Sequence, residues 1–185
     1  LKSKLLIMKE RLQMAKLIKR RAVVANDWNI LTLAEGTPPA AARLPYGDVL
    51  VPLAVWQARK WDLIQRQWND GGQGNRLGIW LAPTDDPLTL AGDLEDLDVI
   101  AVHFPAVGDG RGYSIARMLR SRLGYRGELR AIGAVERDYL HFLERVGFDA
   151  FEIEGDESVL DSFDTFSVAY QPTTIPGSWQ HEVAA

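Results

Sequence analysis

The chain of 185 residues contains no cysteine. That absence excludes disulfides, thiol redox chemistry, thiolate zinc sites and cysteine-held iron–sulfur clusters within this chain. It also fits a reducing cytoplasm, where the protein is expected to reside. Histidine is scarce: His103, His141 and His181 lie far apart, and no HExxH or comparable metal spacing occurs. No apolar run approaches the roughly 20 residues of a membrane span. The first 21 residues lack the apolar core and small-residue end of a secretory signal. An excess of one charge is missing too. There are 21 Lys and Arg against 25 Asp and Glu, a net charge of −4, so no global field points to nucleic acid or to a membrane.

What is present is enough apolar residue for a core, 46% of the chain, which suits one compact domain. That domain is expected over residues 14–172, with a flexible tail over 173–185. Residues 1–21 are basic, and Leu5, Met8, Leu12 and Ala15 fall at helical spacing. A simpler origin is preferred for residues 1–13. Lys9–Glu10 can be encoded by AAGGAG, which resembles a bacterial ribosome-binding site, and Met14 follows three codons later. On that reading residues 1–13 are an upstream or disordered extension. "RAVVANDWNIL" alternates apolar and polar residues around Asn26–Asp27 and predicts a strand pair or hairpin. "EGTPPAAARLPYG", residues 35–47, is a loop leading to the main body.

From residue 49 the pattern becomes regular. "VLVPL", "LGIWLA", "VIAVHFP", "LRAIGAV" and "AFEIE" begin at residues 49, 77, 99, 129 and 150, apolar almost throughout, as strands covered on both faces are. Helical segments separate them. Residues 54–68 repeat Trp61, Ile64 and Trp68 along one face, Trp56 preceding them, and the tryptophans read as packing or interface residues. Residues 86–97 open on an Asp86 N-cap and Pro87. Residues 113–123 and 136–146 end on Gly124 and Gly147 in left-handed caps, and a short helix follows Asp156. The alternation predicts an α/β fold of five βα units forming a mostly parallel sheet or partial (β/α) barrel, with an N-terminal strand pair. A closed eight-fold barrel typically needs about 250 residues. An open sheet leaves two edges. The hairpin at 22–33 would cover one and a second subunit the other, so a homodimer is expected.

Ligands of parallel α/β proteins bind at the carboxyl ends of the strands. The most informative loop there is "GDGRGYS", Gly108 to Ser114. It lacks the GxGxxG dinucleotide fingerprint, because Tyr113 stands three residues after Gly110, and it lacks GxxxxGK[ST]. Two readings stand. In one, backbone N–H groups around Gly110 and Gly112 approach a small anion. Arg111 then adds a guanidinium fork, with Tyr113 and Ser114 as further donors. In the other, the loop is a turn in which Asp109 pairs Arg111 or caps the helix, Tyr113 packs and Ser114 caps. Asp109, Arg111 and Glu136 are the candidate catalytic residues.

Asp85, Asp86, Glu136, Asp138, Glu154, Asp156 and Glu157 are acids on the same rim, after Thr84 and Arg137 as well. Oxygen ligation of Mg²⁺ is one use for them, but Asp86 and Asp156 are explained as N-caps, and no metal is assigned. His103 is a core histidine or a base. Arg130, inside an apolar strand, needs an acid or a ligand as partner and is carried as a candidate ligand-binding residue. Arg117 and Arg120 read as a solvated face.

"VLVPLAVW" (49–56), "GIWLAP" (78–83), "FP" (104–105), "DGRGYSIARMLR" (109–120), "YRGELRAIG" (125–133) and "GFDAF" (147–151) together resemble a bacterial family of unknown function. Its members are labelled oxidoreductases of sulfite reduction because their genes lie beside that of sulfite reductase. The resemblance runs over roughly residues 14–172, and the DGRGYS segment is its most specific part. It implies a cytoplasmic role in assimilatory sulfur metabolism, with sulfite reductase as partner, and it carries over no catalytic residue. The chain departs from the family pattern at His103, where an Asp is usual, at 106–108, and at Ala134, where an Asp is expected. Any function of those acids is lost here or moved to Glu136. With neither cysteine nor a dinucleotide fingerprint, a redox centre would be borrowed, as a flavin bound by other means or the reductase's own cofactors; no cofactor is assigned. The alternative is a freestanding enzyme, of oxidoreductase or lyase type, at the strand ends.

Overall fold

The computed structural model describes residues 16–69, 75–153 and 157–163. The extension 1–13, the tail 173–185, Glu154, Asp156, His181 and the side chains of Trp68 and Glu157 lie outside the described residues. Among these residues one eight-stranded sheet forms from β1 (Lys16–Lys19), β2 (Ala22–Val24), β3 (Asn29–Ile30), β4 (Val49–Pro52), β5 (Leu77–Leu81), β6 (Val99–Phe104), β7 (Glu128–Gly133) and β8 (Ala150–Ile153). Its order is β2-β1-β8-β7-β6-β5-β4-β3. From β3 to β8 all pairs are parallel, while β1 runs antiparallel to both β8 and β2. Three α-helices, α1 (Leu53–Asn69), α2 (Arg111–Arg117) and α3 (Leu140–Val146), pack on it.

The chain length between strands dictates the curvature. β2 and β3 are the two edges of the sheet, and a flat sheet would separate them by about 34 Å at roughly 4.8 Å per strand. Only the stretch from Val24 to Asn29 joins them, and it reaches at most about 18 Å when extended. The sheet therefore curls into a half-barrel, with this short crossing inside the curve. Alternation along the strands then fills two layers. On the convex face Val49, Val51, Ile79, Ile100, Val102 and Phe151 meet Trp56, Leu63, Ile115, Leu119 and Leu143 in the main core. On the concave face Leu50, Val99, Ala101 and Ile132 meet Trp28 from the crossing.

The five predicted strands occupy their expected places. The five βα units do not. Residues 86–97 form no α-helix but two 3₁₀ turns, Pro87–Leu90 and Leu94–Asp96. Asp86 caps the first, accepting from the Leu88 N–H at 2.9 Å. Gly92, a poor helix former, interrupts the segment. Asp93 is drawn to α1, accepting from Trp56 Nε1 at 2.7 Å and Lys60 Nζ at 2.5 Å. The expected last helix is a 3₁₀ stretch, Glu157–Phe163.

The predicted helix at 113–123 begins at Arg111 and widens to a π-helix over Met118–Arg122. The one at 136–146 begins as a 3₁₀ turn and becomes α-helical at Leu140. Gly124 and Gly147 do take left-handed φ of 69° and 115° at the two ends. In α1 the buried face is Leu53, Val55, Trp56 and Leu63, and Trp61 is 75% exposed. Arg59 breaks the helical geometry with φ −138° and donates to the Ala42 carbonyl at 2.7 Å. Beyond that break Ile64 of the expected stripe packs against the main core, while Trp61 stands out into solvent.

The N-terminal strand pair exists, but not where the alternation placed it. β1 and β2 form the hairpin, and its turn is Arg20–Arg21 at φ 51° and 58°. Both central residues with positive φ match the twist of a type I′ hairpin, a conformation usually given to Asn or Gly. Asn26–Asp27 is the crossing instead of a turn, and β3 pairs β4 at the far edge. The hairpin also takes residues 16–21 out of any N-terminal helix.

Arg130 and Arg120 fasten opposite layers. Arg120, expected on a solvated face, is 3% exposed. It donates to the Gly147, Tyr125 and Gly127 carbonyls at 2.8–2.9 Å and to Asp149 Oδ2 at 2.9 Å. Arg130 is 1% exposed on the concave face. Its Nε donates to Glu128 Oε1 at 2.7 Å, its NH1 to Asn26 Oδ1 at 3.3 Å, and its guanidinium lies 5.5 Å from the centre of the Trp28 ring. Breaking a buried ion pair from one side costs about 3–5 kcal/mol. Arg130→Met is expected to lower unfolding stability by that amount in urea titrations. The double variant Glu128→Gln/Arg130→Met should lose clearly less than the sum of the single losses. Additive losses would show that the two side chains do not act as a pair.

Candidate functional site

The parallel strands deliver their carboxyl ends to one rim, and the loops after β6 and β7 meet there. Gly108 takes φ +81°, a conformation that favours glycine. The Asp109 N–H donates to the Ala106 carbonyl at 3.2 Å and closes the turn. The Asp109 carboxylate then clasps Arg111: it accepts from the Arg111 backbone N–H at 3.2 Å, from Nε at 2.9 Å and from NH2 at 2.6 Å. The hydrogen bonds they share hold the Asp109 carboxyl below, and the Arg111 guanidinium above, their ordinary ranges. The Arg111 side chain remains 55% exposed, and among the described residues its NH1 end has no hydrogen-bond partner.

The glycines of the loop do different things. A Cβ on Gly112 would lie 2.4 Å from Cζ of Phe104, so this glycine lets α2 close onto β6. Gly110 has open space around it and precedes α2 without a side-chain cap. Ser114 is exposed and does not cap the helix. Tyr113 sits edge-on to Phe104, centroids 5.9 Å apart.

Between these loops lies a shallow crevice of about 230 Å³, counted out to its open mouth. Phe104, Gly108, Tyr113, Ala134, Val135, Glu136, Tyr139 and Leu143 line it. The structure thus brings Tyr113 and Glu136 together, with Asp109, Gly110 and Arg111 following Gly108 along the chain. It does not bring Arg130 to the rim; that guanidinium is enclosed on the concave face and paired with Glu128. Tyr139 is the crevice residue that periodicity did not single out. It stands at the 3₁₀ start of its segment and is 36% exposed.

Burial pushes the Tyr113 phenol above its usual range, and the nearby Tyr139 phenol adds to the shift. Most of that volume is open mouth; the space the crevice encloses is about 10 Å³, room for one water-sized group, so the crevice suits a small ion or the tip of a side chain.

The other acids are engaged locally. Asp85 accepts from the Ala82 N–H at 2.7 Å, and Asp138 pairs Arg137 at 3.5 Å. Among the described residues no group of three or more His, Asp or Glu side chains could hold a metal ion, and no helix is long and apolar enough to cross a membrane.

These features define an α/β half-barrel with a small crevice at the carboxyl ends of β6 and β7. The chain belongs to the family described as "Bacterial protein of unknown function (DUF934)", whose model matches residues 78–177 and so takes in β5 to β8, the Gly108–Ser114 loop and the crevice. No curated protein and no solved structure matches the chain.

Gly112→Ala forces a methyl against Phe104, and overpacking of this kind costs roughly 1–3 kcal/mol. The melting temperature is expected to fall accordingly, and Phe104→Leu in the same chain should recover part of the loss. A melting temperature unchanged by Gly112→Ala would mean that the loop, not the packing, sets the helix position.

His103 projects from β6 on the concave face, edge-on to Trp80 with centroids 5.9 Å apart. Burial lowers its pKa from 6.5. Because the folded value is depressed, the stability gained by keeping this imidazole neutral is present above about pH 6.5 and lost as pH falls through the folded value. His103→Gln is therefore expected to flatten the fall in melting temperature between about pH 6.5 and pH 5. An identical pH profile in the variant would remove His103 as the cause.

Proposed function

We propose that this protein is an accessory protein of assimilatory sulfite reduction that binds a small oxyanion at the Gly108–Ser114 loop and docks on sulfite reductase in the cytoplasm. The sequence resemblance to a family encoded beside that reductase supports the pathway. One observation carries the binding reading: Asp109 holds the Nε and NH2 edge of Arg111, which leaves the NH1 end of a half-exposed guanidinium without a partner among the described residues. A fork fixed on one edge loses less freedom when it binds on the other. Sulfite, sulfate or a phosphate-bearing molecule would take its charge-assisted hydrogen bonds from Arg111 and further ones from the backbone N–H groups around Gly110 and Gly112. Asp109 would orient Arg111 and stay clear of the anion.

Charge-assisted hydrogen bonds contribute about 1.5–3 kcal/mol each. Arg111→Ala is expected to weaken anion binding about ten- to a hundredfold, with little change in melting temperature because the side chain is exposed. Calorimetric titration of both chains with sulfite, sulfate and phosphate measures this, and titration with sulfite reductase measures docking. Unchanged anion binding together with a marked fall in melting temperature would make the loop purely structural.

A second reading, a freestanding enzyme at the same rim, draws on the Glu136 carboxylate in the crevice beside Tyr113. Its test is turnover that disappears in Glu136→Gln while the fold persists.

A further inference from the structure

We infer that the crevice between the β6 and β7 loops is an ammonium site, in which a primary amine on a short apolar stem enters between Tyr113 and Tyr139 and meets the Glu136 carboxylate. This goes beyond the oxyanion reading, because it concerns the opposite charge and groups other than Arg111. The walls are apolar where a stem would lie: Phe104, Val135 and Leu143 line the crevice. Three residues of that lining carry polar side chains, Tyr113, Tyr139 and Glu136, and the two phenols lie near enough to act on each other. Among the described residues none of the three makes a side-chain hydrogen bond or ion pair. The neighbouring charges are already spoken for, since Arg111 pairs Asp109 and Arg137 pairs Asp138. Glu136 therefore leaves the crevice with one uncompensated negative charge.

An anion would meet that charge and be repelled. A cation gains from it, from two phenol oxygens able to accept, and from the faces of the aromatic rings. A calcium or magnesium ion is poorly served, because one carboxylate and two phenols are far short of the six or more oxygens such ions gather. Size narrows the choice again. The space the crevice encloses, about 10 Å³, takes a single ammonium head, and the alkyl stem lies in the open mouth. That chemistry has two sources, a free small amine and a lysine side chain of a partner protein.

The test uses the full chain and follows backbone amide signals by NMR during titration with n-butylammonium, with butyrate and 1-butanol as controls of equal stem. A second arm uses a blocked tripeptide with one central lysine. Saturable shifts at Tyr113, Glu136 and Tyr139 are expected with the amine and not with the controls. Glu136→Gln, a change at an exposed side chain that should leave the melting temperature in place, is expected to weaken the amine about tenfold, the loss of one charge-assisted contact. If the lysine peptide binds tighter than the free amine, the ammonium belongs to a partner; if it binds no tighter, the occupant is a small amine. Either result upholds the site. Equal shifts from butyrate or butanol, or amine binding untouched by Glu136→Gln, overturn it. Arg111→Ala keeps the two readings apart: it should weaken sulfite binding about ten- to a hundredfold and leave amine binding unchanged.

Discussion

The buried charge of Arg130 is the constraint on which the half-barrel depends. A guanidinium on the concave face of a parallel sheet is costly unless every donor finds a partner. Glu128, two residues back on the same strand, supplies the counter-charge, and Lys19 of β1 reaches the same carboxyl group at 2.6 Å. Burial alone would push the Glu128 carboxyl up, but the two cations beside it outweigh burial and hold it below the usual range. Asn26 completes the set by accepting from Arg130 and donating to Glu152 at 3.1 Å. This network therefore ties β1, β7 and β8 to the crossing between β2 and β3. The crossing is the short tether that curls the sheet, so the polar cluster and the curvature stand or fall together. Trp28 adds the apolar half of the same fastening, lying between Arg130 and Arg76, with ring-to-guanidinium distances of 5.5 and 5.1 Å.

Curvature in turn sets the rim. Wound around a concave layer, the parallel strands spread their carboxyl ends, and α2 must sit close to β6 to keep the main core filled. Gly112 permits that approach by lacking a Cβ where Phe104 lies. The consequence for chemistry is local. Tyr113 turns inward over Phe104 beside Glu136 and Tyr139, while Arg111 remains outside, clasped by Asp109. The guanidinium is thus matched by Asp109, while the Glu136 carboxylate has no ion-pair partner among the described residues.

The apolar runs at 49, 77, 99, 129 and 150 were legible as strands because parallel strands covered on both faces need little polar alternation. Gly124 and Gly147 were legible because a left-handed residue closing a helix is a backbone requirement. The hairpin was displaced because its turn is Arg20–Arg21, and nothing in those side chains announces positive φ; tertiary pairing of β1 with β8 imposes it. The 86–97 helix was over-read from a good cap. The Arg59 break, and with it the exposure of Trp61, has no signature in a periodicity that assumes an unbroken helix. Arg130 announced its need for a partner, but a partner on the same strand and another at residue 26 are separated by very different stretches of chain, and spacing ranks neither first.

The candidate site was half legible for the same reason. Glycines flag places where the backbone needs room, and Gly110 and Gly112 read as the anion-facing pair of a loop that also holds Gly108. The structure separates them: Gly108 has open space but serves φ, Gly112 serves packing, and Gly110 has open space with neither use. A glycine-rich sequence therefore counts as a ligand cradle only after these structural uses are subtracted. What remains here is one open glycine, one half-exposed arginine and a crevice whose polar groups come from two loops some 23 residues apart, Tyr113 and Glu136. On the two proposed readings, the carboxylate of the crevice and the guanidinium outside it would separate ligands by charge before shape is considered.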